Sequence, residues 1–182
     1  SILRNEKLNA RLKEKISLVC KNASRLLTLI NQLLEFRKID NETSELNPDY
    51  LDIVDVIKTI YGSFALSADK KNIEYTFASE YESLIACFDP DKIEKIMFNL
   101  LSNAFKFTPE NGKIWVELKN GYDGNYLVKI SDTGKGINKE ELDKIFNRFY
   151  NTTGQTTLDS GSGIGLSLTK LLVEMHGGKI DV

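Results

Sequence analysis

Neither proline nor glycine occurs before Pro48, and this constrains the first part of the chain more than any composition figure. With no helix breaker present, residues from about Asn5 to Asp40 read as one long helix. Leu12, Ile16, Val19, Ala23, Leu26, Ile30 and Leu33 follow an unbroken alternation of four- and three-residue steps, the seam of a coiled coil or helical bundle. Leu27, Leu29, Leu34 and Phe36 widen the apolar arc. So broad an arc needs more than one neighbour, so a bundle is expected rather than a two-stranded coil. The polar run from Asp40 to Pro48 reads as a linker. The expected division is residues 1–45, a bundle helix with its linker, and residues 46–182, a separate domain.

Beyond the linker the elements shorten and mix. Tyr50 to Val54 reads as a brief strand, Val56 to Asp69 as a helix, and Ile73 to Ala78 and Leu84 to Phe88 as strands. Asp89 to Phe105 is expected to be helical, with a turn around Pro109 and Gly112. Ile114 to Leu118 and Tyr126 to Ile130 alternate apolar and polar residues around a loop holding Gly121 and Gly124, which predicts a hairpin. A helix is expected over 139–150, with Asn138 and Glu141 spaced as in a capping box. Its apolar stripe is Leu142, Ile145, Phe146 and Phe149. A polar stretch from Asn151 to Ser162 precedes a last helix from Ile164 to Met175, stopped by Gly177 and Gly178, and Lys179 to Val182 begins a strand. Without regular strand–helix alternation the class is α+β: a two-layer α/β sandwich, a mixed sheet with helices on one face, preceded by the long helix.

Composition narrows the function. A net charge of −2 leaves no basic field for nucleic acid or anionic lipid. Cys20 and Cys87 are too few and too far apart for a metal cluster or disulfide framework, and are expected to be buried thiols in a reducing compartment. No apolar run approaches the roughly 20 residues that cross a bilayer, and no signal peptide opens the chain, so a cytoplasmic piece is expected.

Three constellations carry chemistry. At about 100° per residue, Asn99, Asn103 and Lys106 share one flank of their helix, beside a core stripe of Ile93, Ile96, Met97, Leu100, Leu101 and Ala104. Two carboxamides and an ammonium there suit a hydrated Mg²⁺ and phosphate oxygens; read alone, a solvated polar face is the plainer reading. Asp132 follows a strand and precedes Gly134 and Gly136, where a carboxylate can accept from an exocyclic amine and glycines permit close approach; an ordinary turn is the plainer reading. Gly161, Gly163 and Gly165 open the last helix, whose free N–H groups suit an anion, though a simple hinge fits as well. Arg148 points away from the stripe of its helix and is available to phosphate. His176, the sole histidine, closes a helix, where a carbonyl partner is favoured over catalysis.

In this order the pieces resemble the N, G1, F and G2 boxes of sensor histidine kinases, relatives of the gyrase and heat-shock chaperone ATPases. The similarity runs from about Pro48 to Val182, and Leu26 to Arg37 resembles the second helix of the family's dimerisation bundle. The resemblance implies ATP and Mg²⁺ as ligands. Asn103 would ligate Mg²⁺ with Asn99 in support, Lys106 would meet phosphate, and Asp132 would hold adenine. Gly134 and Gly136 would shape the purine pocket, with Ile137 among its contacts. Residues 151–162 would be a mobile lid, with Gly163 and Gly165 its hinge, and Gly161, Leu166, Arg148 and Tyr150 would complete the ATP contacts. The family often carries Arg directly after its Phe-Tyr pair; here that position is Asn151, which leaves Arg148 for phosphate.

The implied parent is an inner-membrane-anchored bacterial sensor with this part in the cytoplasm. It would pass the γ-phosphoryl of ATP to a bundle His and then to an Asp in a response regulator receiver domain, with its own second subunit as partner. No His-acid motif stands on a first bundle helix and the family's final strand is missing, so the chain is expected to be a fragment that does not autophosphorylate. A gyrase- or chaperone-type hydrolase is the rival enzyme. Such enzymes place a Glu four residues before the metal-binding Asn; Asn99 stands there, and a carboxamide is no general base. A nucleotide-free interaction module explains the helix but not the Asn, Asp and Gly boxes. A serine kinase of the anti-sigma type would lack the bundle helix.

Overall fold

The computed structural model describes residues 2–40, 45–121, 124–150 and 163–182. The chain divides into two compact units, residues 1–44 and 45–182. The first contains one uninterrupted helix, α1 (Ile2–Asp40). The seam side chains Leu12, Ile16, Val19, Leu26, Ile30 and Leu33 are 46–67% exposed.

The second unit holds a two-stranded and a three-stranded sheet. In the first, β1 (Asp49–Asp52) pairs antiparallel with β3 (Ile85–Phe88). In the second, β4 (Lys113–Asn120) lies between β2 (Glu74–Ser79), which it pairs in parallel, and β5 (Tyr126–Asp132), which it pairs antiparallel. The sheet is mixed, and the strand alternation explains its layering. Ile114, Val116 and Leu118 of β4 are wholly buried, while the intervening Trp115, Glu117 and Lys119 are only partly covered. Over the buried face lie α2 (Ile53–Ser63), through Val54, Ile57 and Ile60, and α4 (Pro90–Phe107), through Met97 and Leu101. Each such side chain contributes roughly 1.5–3 kcal/mol by leaving water.

α4 is anchored at both ends. Asp89 caps its start: Oδ1 accepts from the Lys92 N–H at 3.1 Å, and Oδ2 accepts from the Asn47 N–H at 2.9 Å and from the Lys92 ammonium at 2.6 Å. That ammonium also donates to the Glu45 carbonyl at 2.8 Å. Pro90 at the first turn forgoes an N–H that would have no helical partner. At the far end the Lys71 ammonium, at the close of α3 (Ala65–Lys71), donates to the Phe105 and Thr108 carbonyls, answering the orphaned acceptors and negative pole of a helix C-terminus.

The structure departs from the sequence expectations in five places. The helix expected over 56–69 is two, because the Ser63 hydroxyl donates back to the Ile60 carbonyl at 2.6 Å while the Phe64 ring turns to stack on Phe105. The helix expected over 139–150 contracts to a 3₁₀ turn, Lys139–Glu141, followed by successive tight turns. There Asn138 bonds the Glu141 side chain rather than capping the backbone. Of its stripe only Ile145 is buried, and Phe149 is 66% exposed with φ +61°. Lys179–Val182 has no ladder partner among the described residues and is not a strand. Cys20 and Cys87 are both exposed, Cys87 because β3 turns it outward opposite Tyr50.

Burial raises the Asp89 carboxyl, but the Lys92 ammonium and the Asn47 and Lys92 N–H groups outweigh it and bring the pKa from 3.8 to about 2. A folded-state value below the unfolded one stabilises above the unfolded pKa, by about 2 kcal/mol here. That contribution should vanish as pH falls from about 4 to about 2. Urea unfolding across this window should show the slope in the native chain and a flatter one in Asp89→Asn.

Candidate functional site

α4 places Asn99, Asn103 and Lys106 on successive turns of one face. The half-buried Asn99 is committed: its Nδ2 donates to Thr169 Oγ1 at 2.6 Å on α5 (Gly165–Met175), and a Cβ at Gly165 would collide with its Oδ1. Asn103, half-buried one turn on, keeps its carboxamide clear of side-chain hydrogen bonds among the described residues. Lys106 holds its ammonium 4.9 Å from the centre of the Phe107 ring.

β5 delivers Asp132 to the same end of α4. Thr133 is locked to Lys113 by two hydrogen bonds, N–H to carbonyl at 3.0 Å and Lys113 N–H to hydroxyl at 2.9 Å. The exposed Asp132 carboxylate accepts from the Gly134 N–H at 2.7 Å through Oδ1. At Gly134 a Cβ would lie 2.5 Å from Asp132 Oδ1 and 2.8 Å from the Phe107 carbonyl, so the loop rests directly on the end of α4. Gly136, at φ +70°, completes the turn, and Ile137 follows 38% exposed.

The entry to α5 is equally tight. The Phe149 N–H donates to the Gly163 carbonyl at 2.8 Å, and a Cβ at Gly163 (φ +68°) would lie 2.7 Å from the Phe149 carbonyl carbon. The Tyr150 hydroxyl donates to Glu141 Oε1 at 3.2 Å; desolvation, then that carboxylate, pushes the phenol above its ordinary value. Among the described residues no side chain caps the start of α5, and the leading N–H groups of a helix suit an anion.

Three contacts therefore join all four sequence-derived boxes: Asn99 with Gly165, Phe149 and Tyr150 with Gly163, and Gly134 with the end of α4. Arg148 is exposed on the turn before Phe149, and Leu166 is half-buried in the first turn of α5. Gly161, Asn151 and the rest of the expected lid lie outside the described residues. Phe107 was missed. Its ring is 38% exposed, carries the Lys106 ammonium and, at 5.2 Å, that of Lys135, and stands beside the Asp132 loop. It lies four residues after Asn103, on the same helical face, so helical periodicity alone would have found it.

The arrangement can take a purine and a polyphosphate. An exposed carboxylate on a loop that rests on the Phe107 end of α4 and also carries the exposed Ile137 suits a flat ring bearing an amine. Among the described residues no group of three or more His, Cys, Asp or Glu could cage a metal. The donor set instead fits Mg²⁺, which keeps most of its waters and needs one or two protein oxygens besides phosphate; Asn103 offers one.

Residues 88–182 match the family described as histidine kinase-, DNA gyrase B- and HSP90-like ATPases. The chain belongs to this family. Histidine kinase P4 of Formosa agariphila is 40% identical over 92% of the chain, which spans 12% of that relative's length. Histidine kinase ThkA, solved in complex with the response regulator protein TrrA, aligns with a TM-score of 0.74 at 29% identity, covering 93% of this chain and 46% of that one. Full-length ShkA, solved with AMPPNP, aligns with a TM-score of 0.72 at 26% identity, covering 84% and 31%. The fold is thus that of a histidine kinase ATP-binding domain preceded by a helix.

Gly134→Ala should cost about 1–3 kcal/mol, because the methyl meets backbone and a fixed carboxylate. Gly62→Ala, where nothing lies within 4 Å, should leave the melting temperature unchanged or raise it; thermal melts of the two variants make the comparison.

Proposed function

We propose that this chain binds ATP with Mg²⁺ and is the kinase module of a two-component sensor, whose parent transfers the γ-phosphoryl to a bundle His for relay to a response regulator Asp. The observation that carries the reading is the Asp132 loop: one carboxylate oxygen is spent on Gly134, and Gly134 itself rests on the Phe107 carbonyl at the end of α4. Asp132 would accept from the adenine amine, and Phe107 and Ile137 would flank the ring. Lys106, Arg148 and the N–H groups opening α5 would neutralise the phosphates. Asn103 would hold Mg²⁺, which when bound screens charge on the phosphates being parted. The ShkA–AMPPNP and ThkA–TrrA complexes support nucleotide and response regulator as ligands of this class.

No membrane-crossing helix occurs among the described residues, so anchoring in a bacterial inner membrane would rest with other parts of the parent. The exposed seam of α1 supports pairing with a second subunit, since several large apolar side chains left in water would each forgo roughly 1.5–3 kcal/mol. Hydrolysis is disfavoured: the position four residues before Asn103 holds a carboxamide whose amide is bound to Thr169.

Asp132→Asn should weaken ADP binding about tenfold or more by calorimetry, because an amide answers the adenine amine poorly; equal affinities would remove Asp132 from the site. Asn103→Ala should leave the melt unchanged and abolish the Mg²⁺ dependence of ATP binding. A variant that unfolds instead assigns Asn103 to the core.

A further inference from the structure

α5 packs on α4 and is tied to it at two separated points. One is Asn99 with Thr169, at 2.6 Å. The other lies at the beginning of α4, where the Asp89 N–H donates to His176 Nε2 at 3.2 Å. His176 Nδ1 sits 2.7 Å from the Leu172 carbonyl, an acceptor only, so Nδ1 carries the proton. The two bonds together require one neutral tautomer, Nδ1–H toward its own helix and Nε2 open to the neighbouring cap.

Ten residues of α4 separate Asp89 from Asn99, about 15 Å along the axis, and α5 runs antiparallel over the same stretch. The buried apolar residues of α5 are Leu168 and Leu172, whose hydrophobic contribution carries no direction. The polar ties fix where α5 stands along α4 at two named points.

We propose that His176 is a positioning residue. By accepting the Asp89 N–H it holds α5 in register on α4, so that Gly165 and the first turn of α5 stand beside Asn99, and nucleotide affinity depends on that bond. The inference rests on the nucleotide reading above.

The test is calorimetry of Mg²⁺–ADP with the 182-residue chain, His176→Asn and His176→Gln, with ¹⁵N NMR of the native imidazole. A glutamine oxygen reaches the place of Nε2, whereas asparagine reaches only that of Nδ1. His176→Asn should bind ADP about five- to tenfold more weakly, as loss of one neutral hydrogen bond implies, while melting within a few degrees of the native chain; His176→Gln should bind within about twofold of it. Equal affinity in all three, or a proton found on Nε2, overturns the proposal. If His176→Asn does not fold, His176→Gln decides: native affinity supports the role and a loss overturns it. A native chain that binds no ADP refutes the nucleotide reading instead. Exchange protection of the Asp89 amide then judges the tie: retained in His176→Gln and lost in His176→Asn supports it, and any other pattern overturns it.

Discussion

The buried pair of Asp89 and Lys92 is the interaction on which the second unit depends. Bringing two charges out of water costs several kcal/mol each. Here the cost is offset because both carboxylate oxygens are occupied and the ammonium reaches a second acceptor, the Glu45 carbonyl. An apolar pair would bury as well but would not specify which backbone groups lie against it. The charged pair does: it joins the segment entering β1, through Glu45 and Asn47, to the first turn of α4. Because α4 also carries Asn99, Asn103 and Phe107, the anchor of the fold and the floor of the site are one helix.

Much of this was legible where a local pattern coincided with a tertiary one. β4 alternates strictly, and its buried residues are the predicted ones. α4 begins with Asp89 and Pro90, and its stripe is the core face, apart from Ile93 and Leu100 at its margin. Legibility failed where a side chain competed with the backbone. Ser63 ends α2 by bonding back to Ile60, and Asn138 spends its amide on Glu141 instead of the helix start. Neither choice is visible in apolar periodicity, which continued through both places.

The site divides along the same line. Glycines were readable as residues that something must approach, and Gly134, Gly163 and Gly165 each meet a neighbour that would exclude a methyl. What approaches them was not readable, since Phe107, Phe149 and Asn99 lie 27, 14 and 66 residues away along the chain. Asn99 was read for its chemistry and emerges as a brace between helices. His176 was read as a helix terminator and emerges as a second brace 87 residues from its partner.

Phe149 stands apart from this economy. A non-glycine residue at φ +61° carries roughly 1–3 kcal/mol of backbone strain, yet its ring is 66% exposed and returns little by burial. Selection for thermal survival alone would therefore drift this position toward glycine or asparagine, while selection for what the chain does would keep the aromatic ring. Position 163 has no such freedom, since the strained backbone of Phe149 lies against it. The two neighbours in space thus evolve under different rules: one is bound by sterics, the other by use.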